Sequence, residues 1–285
     1  MATSFLLGMV SGLSAHAGEQ QRKPVDFRDI GALMKDRPLL ICAHRGGVVG
    51  PGSPQCSLEA IRRAAADGYD MVELDVRASK DGRPVVFHDA SLAFACGDLR
   101  MCSMVPFGEL TRMRHAGTNE SIPSLEAAVA LCAELGLGIQ IDVKDSAENE
   151  RTRRSIKETA AAIEKRGLAP ATMTISNGGR FIDEILSGKI TFSISPNEFK
   201  RFEERGEPVP TDHCVFGHAI DLPDELVKRI SARGMLIMAS INTHHYLPGK
   251  DMEQAEKDIA RLRAAGVTGY QIDSDYMRYL RPAGR

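Results

Sequence analysis

Short apolar runs alternate with longer amphipathic ones from Pro38 to the C-terminus, and few architectures accept that pattern. Runs at 39–44, 71–76, 84–88, 138–144, 172–176, 190–195, 214–220, 236–242 and 269–273 read as strands. Helical periodicity fills the intervals at 57–67, 124–134, 151–165, 221–232 and 251–265, with a glycine just past several of these patterns, as at Gly68, Gly136, Gly167, Gly234 and Gly266. Near-continuously apolar strands separated by helices call for a parallel sheet covered on both faces. No Pro/Gly/Ser linker or charge block divides the 285 residues. We therefore expect a single-domain α/β fold, a TIM-type (β/α)8 barrel over residues 38–285, close to the usual barrel size of ~250 residues. The nine strand candidates exceed a barrel's eight by one, and 214–220 is the run expected to be peripheral. An open doubly wound sheet is the alternative.

Composition narrows the function. With 36 Lys plus Arg against 38 Asp plus Glu, the net charge of −2 provides no broad attraction for nucleic acid or anionic membrane, and the absence of Trp removes the best stacking platform for single strands. Residues 1–17 are mildly apolar and end in Ala15-His16-Ala17, a small-x-small pattern. They are expected to be a signal peptide, followed by an N-terminal extension at 18–37 and a periplasmic or secreted location. The run is too short to span a bilayer, so no integral membrane segment is expected. The six cysteines form no C-x-x-C pair, although Cys96 and Cys102 could be bridged in an oxidising compartment. The oligomeric state is not encoded in any of these features.

Barrel chemistry collects at the C-terminal ends of the strands. Here the apolar runs close with His44-Arg45, Glu73-Leu74-Asp75, His88-Asp89, Asp142-Val143-Lys144 and Asp273. Side chains two apart on a strand share a face, so Glu73 and Asp75 point one way, as do Asp142 and Lys144. Three carboxylates meeting in one cavity repel unless a cation neutralises them, and all-oxygen donors suit Mg²⁺ or Ca²⁺. His44 and His88, read as ends of neighbouring strands, are placed to exchange protons near neutral pH. Arg45 and Lys144 add positive charge suited to a phosphate. Asp273 is expected to add polar contacts, Asp89 to orient His88, and His244-His245 to form a polar loop.

The segments AHRGG (43–47), DMVELDVRASKDGRPVVFHD (70–89), IPSLEAAVALC (122–132) and GIQIDVK (138–144) resemble, in order and spacing, the successive motifs of glycerophosphodiester phosphodiesterases. The resemblance is dense over 38–144 and thinner through 234–242 and 266–273. It implies His44 and His88 as the acid/base pair, Glu73, Asp75 and Asp142 as metal ligands, and Arg45 and Lys144 beside the phosphoryl oxygens. The implied reaction releases sn-glycerol 3-phosphate and an alcohol from a small glycerophosphodiester.

The chain departs from the family pattern in three places. Gln55-Cys56 stands where Glu-Asn is usual, Asp142 where Glu is usual, and no Trp precedes Asn242. These departures bear on which alcohol is recognised. Hydrolysis of intact lipid is a competing expectation, set against the lack of a basic amphipathic helix or evident apolar loop. A non-catalytic phosphate-binding barrel is another.

Overall fold

A computed structural model describes residues 22–175, 179–210 and 212–281. The expected leader at 1–17 lies outside the described residues, as does Ser176. Among the described residues nine strands are formed: β1 (Leu40–Ala43), β2 (Met71–Ala78), β3 (Pro84–Val86), β4 (Gly138–Val143), β5 (Thr172–Thr174), β6 (Thr191–Ile194), β7 (Cys214–His218), β8 (Ile237–Ile241) and β9 (Gly269–Ile272). Eight of them pair in parallel in the order β1, β2, β4, β5, β6, β7, β8, β9. The cylinder closes where β9 returns to β1, in register from Leu40↔Gly269 to Ala43↔Ile272.

The peripheral strand is β3, and this corrects the sequence reading. Among the described strands β3 pairs only with β2, antiparallel at Val76↔Val86 and Ala78↔Pro84. Only Ser79–Arg83 separates the two, held by a Ser79 N–H to Arg83 carbonyl bond of 2.9 Å. A parallel crossover needs about a dozen residues or more, so this link can only reverse the chain. The 214–220 run instead supplies β7, a wall strand seated between β6 (Ser193↔Cys214) and β8 (Val215↔Ile237).

Helices cover the outer face, and their starts follow the sequence. Ser57, Ser124 and Asn149 accept the backbone N–H groups of Ala60, Ala127 and Thr152 at the heads of Leu58–Ala66, Leu125–Leu135 and Glu150–Lys165. Gly136 closes Leu125–Leu135 in the left-handed region, where a side chain would also collide with the Arg22 carbonyl. Residues 22–37 close the N-terminal mouth, with Val25, Phe27, Ile30 and Leu33 buried against the barrel. Arg22 and Arg37 reach the buried carboxylate of Asp70 at 2.5 and 2.7 Å, and Arg281 from the other end of the chain approaches it to 3.7 Å.

Between β3 and Leu125–Leu135 the chain makes a long excursion, part of which, at Phe107, lies beside Glu126, Glu158 and Lys165 of the wall helices. It is held by a small core of its own, built from Val85, Phe87, Leu92, Cys102, Val105, Leu110 and Ile122. All six cysteines are free thiols, so Cys96 and Cys102 are not bridged. Among the described residues no helix is long and apolar enough to cross a membrane.

Candidate active site

The parity of β2 and β4 builds the centre. Asp75 and Asp142 are direct partners across the β2–β4 ladder, and Glu73 lies two residues before Asp75 on the same inward face. One carboxylate oxygen from each of Glu73, Asp75 and Asp142 lies within 4.8 Å of the others. Glu73 and Asp75 are buried, and Asp142 is half-buried.

Burial, followed by the charges of Asp75 and Asp142, pushes the Glu73 carboxyl well above its ordinary range. Asp75 goes the other way. Burial raises it, but Lys144, His88 and the Cys56 thiol together outweigh that and hold it low. Lys144 Nζ, expected beside the phosphoryl oxygens, stands 2.8 Å from Asp75 and 2.5 Å from Asp142 and is a counter-charge of the carboxylates. A repelling, all-oxygen donor set fits a hard divalent cation.

The turn after β1 brings the first imidazole in. Arg45 has φ 53°, a left-handed conformation unusual for a side chain with Cβ, and its N–H donates to Glu73 Oε2 at 2.7 Å. Gly47 follows with φ 139°, where a Cβ would strike the Ala60 carbonyl. The Arg45 guanidinium donates to Gln55 Oε1 at 2.8 Å.

His44 Nδ1 donates to Asp273 Oδ1 at 2.6 Å. A carboxylate only accepts, so the pairing places the proton on Nδ1 and leaves Nε2 for chemistry. Burial raises the Asp273 carboxyl, yet His44 and the Thr243 N–H and hydroxyl together hold it far below the ordinary carboxylate range.

His88 does not close a barrel strand, because it follows the antiparallel β3. It still reaches the centre: the Phe87 N–H donates to the Asp75 carbonyl at 2.9 Å, and Asp75 feels the His88 charge. Its Nδ1 donates to Asp89 Oδ1 at 2.7 Å. Both imidazoles are thus oriented by a carboxylate on Nδ1, an arrangement that fixes tautomer and ring plane.

Sequence reasoning missed the floor beneath these groups. Inside the barrel, Gln271 Nε2 donates to Gln140 Oε1 at 3.1 Å, and Ser240 and Asn242 donate to Gln271 Oε1 at 3.0 and 3.1 Å. Gln140, Ser240 and Gln271 each sit two residues before a strand-end polar group, which is the signal that could have found them. Also missed was Cys56, whose thiol donates to Asp75 Oδ2 at 3.3 Å.

His244, expected in a polar loop, lies with its ring centroid 6.0 Å from that of His44. His245 and His218 continue the row at 4.2 and 4.0 Å.

A sequence profile of the "Glycerophosphoryl diester phosphodiesterase family" matches residues 44–270. Among curated proteins, "Glycerophosphodiester phosphodiesterase 1" of Bos taurus is 36% identical over 135 residues, an alignment covering 44% of this chain and 40% of that protein. The chain therefore spans about two fifths of the length of the curated relatives it matches.

Solved structures align over much more. A "Glycerophosphoryl diester phosphodiesterase" from Parabacteroides distasonis superposes with TM-score 0.67 at 22% identity, covering 93% of this chain and 95% of that one. A phosphodiesterase from Oleispira antarctica, solved with the product sn-glycerol-3-phosphate, superposes with TM-score 0.65 at 19% identity, covering 85% and 96%. Those likenesses establish the shared barrel, and with a profile match running from His44 to Tyr270 the chain belongs to the glycerophosphoryl diester phosphodiesterase family.

Proposed function

We propose that this chain hydrolyses glycerophosphodiesters to sn-glycerol 3-phosphate and an alcohol. The observation that carries the reading is the mutual approach of Glu73, Asp75 and Asp142 within 4.8 Å, together with two imidazoles, His44 and His88, each held on Nδ1 by a carboxylate. The product-bound relative from Oleispira antarctica supports the choice of product.

Glu73, Asp75 and Asp142 would hold Mg²⁺ or Ca²⁺, which when bound supplies Lewis-acid stabilisation of charge on the phosphoryl oxygens. Lys144 and Arg45 would neutralise the diester's negative charge. His88 takes a proton from the nucleophile, either water or a neighbouring glycerol hydroxyl. His44, protonated on both nitrogens, gives the Nε2 proton to the departing alkoxide. The net change is one water added across one P–O bond. Each proton transfer contributes roughly 10² to 10⁴ in rate.

The test is a panel of glycerophosphodiesters incubated with purified protein, with and without divalent cations, and product identification. Release of sn-glycerol 3-phosphate that stops on chelation and returns with Mg²⁺ or Ca²⁺ is expected. Full turnover after exhaustive chelation, or near-normal rates with both His44→Ala and His88→Ala, would overturn the reading.

A further inference from the structure

A guanidinium does not give up its proton, so the charge of Arg45 has to be met by a partner. The partner it has is neutral. Its Nη1 donates to Gln55 Oε1 at 2.8 Å, and Arg45 forms no ion pair among the described residues. Its Nε is buried without a hydrogen-bond partner. Lys144 stands in contrast, compensated by Asp75 at 2.8 Å and by Asp142 at 2.5 Å. Gln and Glu share a shape and an acceptor oxygen but differ by one charge. Gln55 therefore orients the guanidinium as a carboxylate would and leaves its charge standing.

Residue 55 cannot drift away from Arg45, because the two segments are joined along the backbone as well. The Cys56 N–H donates to the Arg45 carbonyl at 2.7 Å, and a Cβ on Gly46 would come within 2.8 Å of Cys56 Cα. The guanidinium is in electrostatic reach of the Cys56 thiol, which donates to Asp75, and of the His244 ring, whose centroid is 6.0 Å from that of His44. The uncompensated charge thus belongs to the same centre as the carboxylate cluster and the first imidazole.

Coulomb attraction grows in proportion to the charge of the ligand. A phosphodiester carries one negative charge, whereas a phosphomonoester carries nearly two once the pH exceeds its second pKa of about 6. An unanswered cation at the centre therefore favours the monoester over the diester. We propose that Gln55 sets the anion preference of this site: by orienting Arg45 without neutralising it, Gln55 makes the site a binder of phosphomonoester dianions and inorganic phosphate. Such anions restrain turnover as they accumulate. That one of them is the reaction's own product rests on the phosphodiesterase reading, whereas the charge preference does not.

The experiment is isothermal titration of the full chain in Mg²⁺, near pH 8, with inorganic phosphate, sn-glycerol 3-phosphate, dimethyl phosphate and glycerol. Wild type is compared with Gln55→Glu, Gln55→Met and Arg45→Gln. Gln55→Glu should bind the two dianions at least roughly tenfold more weakly than wild type, dimethyl phosphate about threefold more weakly, and glycerol equally. Arg45→Gln should show the same grading by charge. Gln55→Met, which loses the hydrogen bond without adding a carboxylate, should lose less than Gln55→Glu. In the diester assay, sn-glycerol 3-phosphate should inhibit wild type at concentrations at least roughly tenfold below those needed for Gln55→Glu.

Equal dianion affinity in wild type and Gln55→Glu would overturn the proposal, as would one common factor of loss for dimethyl phosphate and the dianions. So would a Gln55→Met variant as weak as Gln55→Glu, since that would assign the effect to the lost contact. Should Gln55→Glu not fold, Arg45→Gln decides: a loss graded by ligand charge upholds the proposal and an ungraded one overturns it. If no diester is hydrolysed yet the graded loss is found, the enzymatic reading falls and the anion preference stands. Hydrolysis without the graded loss removes this inference alone.

Discussion

The Nδ1 of His44 lies 2.6 Å from Oδ1 of Asp273, a residue 229 positions further along the chain, and only closure of the barrel by β9 against β1 makes them neighbours. The second oxygen of Asp273 is held by the Thr243 N–H and hydroxyl at 2.7 and 2.8 Å, so the carboxylate cannot turn away. Replacing Asp273 with Asn removes the charge that supports a protonated imidazole and frees the tautomer. Turnover should fall about 10²-fold or more with little change in KM. An unchanged kcat would show that His44 does not act through this pair.

Glu73 is held above its ordinary value of 4.5 by burial and then by Asp75 and Asp142. A raised carboxyl pKa means the folded chain binds the proton more tightly than the unfolded one. The associated stability is therefore complete below the ordinary value and lost as pH rises. Glu73→Gln should flatten that loss and raise the melting temperature in chelator at neutral pH. The same variant should lose the melting-temperature increase that Mg²⁺ or Ca²⁺ confers on wild type. A full metal-induced increase in the variant would take Glu73 out of the ligand set.

Cys56 occupies φ 60° while its thiol donates to Asp75 at 3.3 Å. A left-handed conformation disfavours most side chains by about 1 to 2 kcal/mol, and Asn tolerates it better. Cys56→Asn should therefore stabilise the fold by about 0.5 to 1 kcal/mol and keep a donor on Asp75. Chemical denaturation measures this directly, and a destabilised variant would mean that the packing around Cys56 outweighs backbone strain.

Asp70 gathers Arg22, Arg37 and Arg281 and also accepts the Ile41 N–H at 2.9 Å. Asp70→Ala should cost about 3 kcal/mol, because it strands a buried backbone donor and a converging set of cations. The loss should appear in urea midpoints, with turnover of the remaining folded enzyme unchanged, since this end lies opposite the acidic cluster.

His245 is lowered from 6.5 to about 4 by burial first, then by the neighbouring imidazoles of His218, His244 and His44. The unfolded chain takes up this proton below its ordinary value while the folded chain resists it. Stability is therefore complete above pH 6.5 and falls on acidification towards 4. With the ring half-exposed, screening trims the effect to about 1 kcal/mol. Urea melts across that window should show a smaller acid loss for His245→Gln than for wild type.

The groups on β2 and β4 were legible because inward parity and strand ends are sequence properties: Glu73, Asp75 and Asp142 needed only a two-residue repeat. The pairing of His44 with Asp273 was not legible, since it depends on which strands meet when the cylinder closes. β3 was misread because an apolar run carries no direction, although the Ser-Lys-Asp-Gly-Arg link at 79–83 contained the reversal. That His244 and His245 both join the imidazole row was not legible either. They sit in the short 3-10 turn Thr243–His245, where successive side chains do not alternate. Phe94 and Leu99, 95% and 90% exposed against the expectation of no apolar loop, were invisible as a surface feature because residue type does not state exposure.

β3 folds back before the excursion begins, so no strand ladder of the closed cylinder depends on the length or content of residues 90–121, which lie beyond His88 and Asp89. Evolution could lengthen, trim or rewrite that segment without reopening the barrel or disturbing β2 and β4. Selectivity in this lineage can therefore drift faster than reactivity.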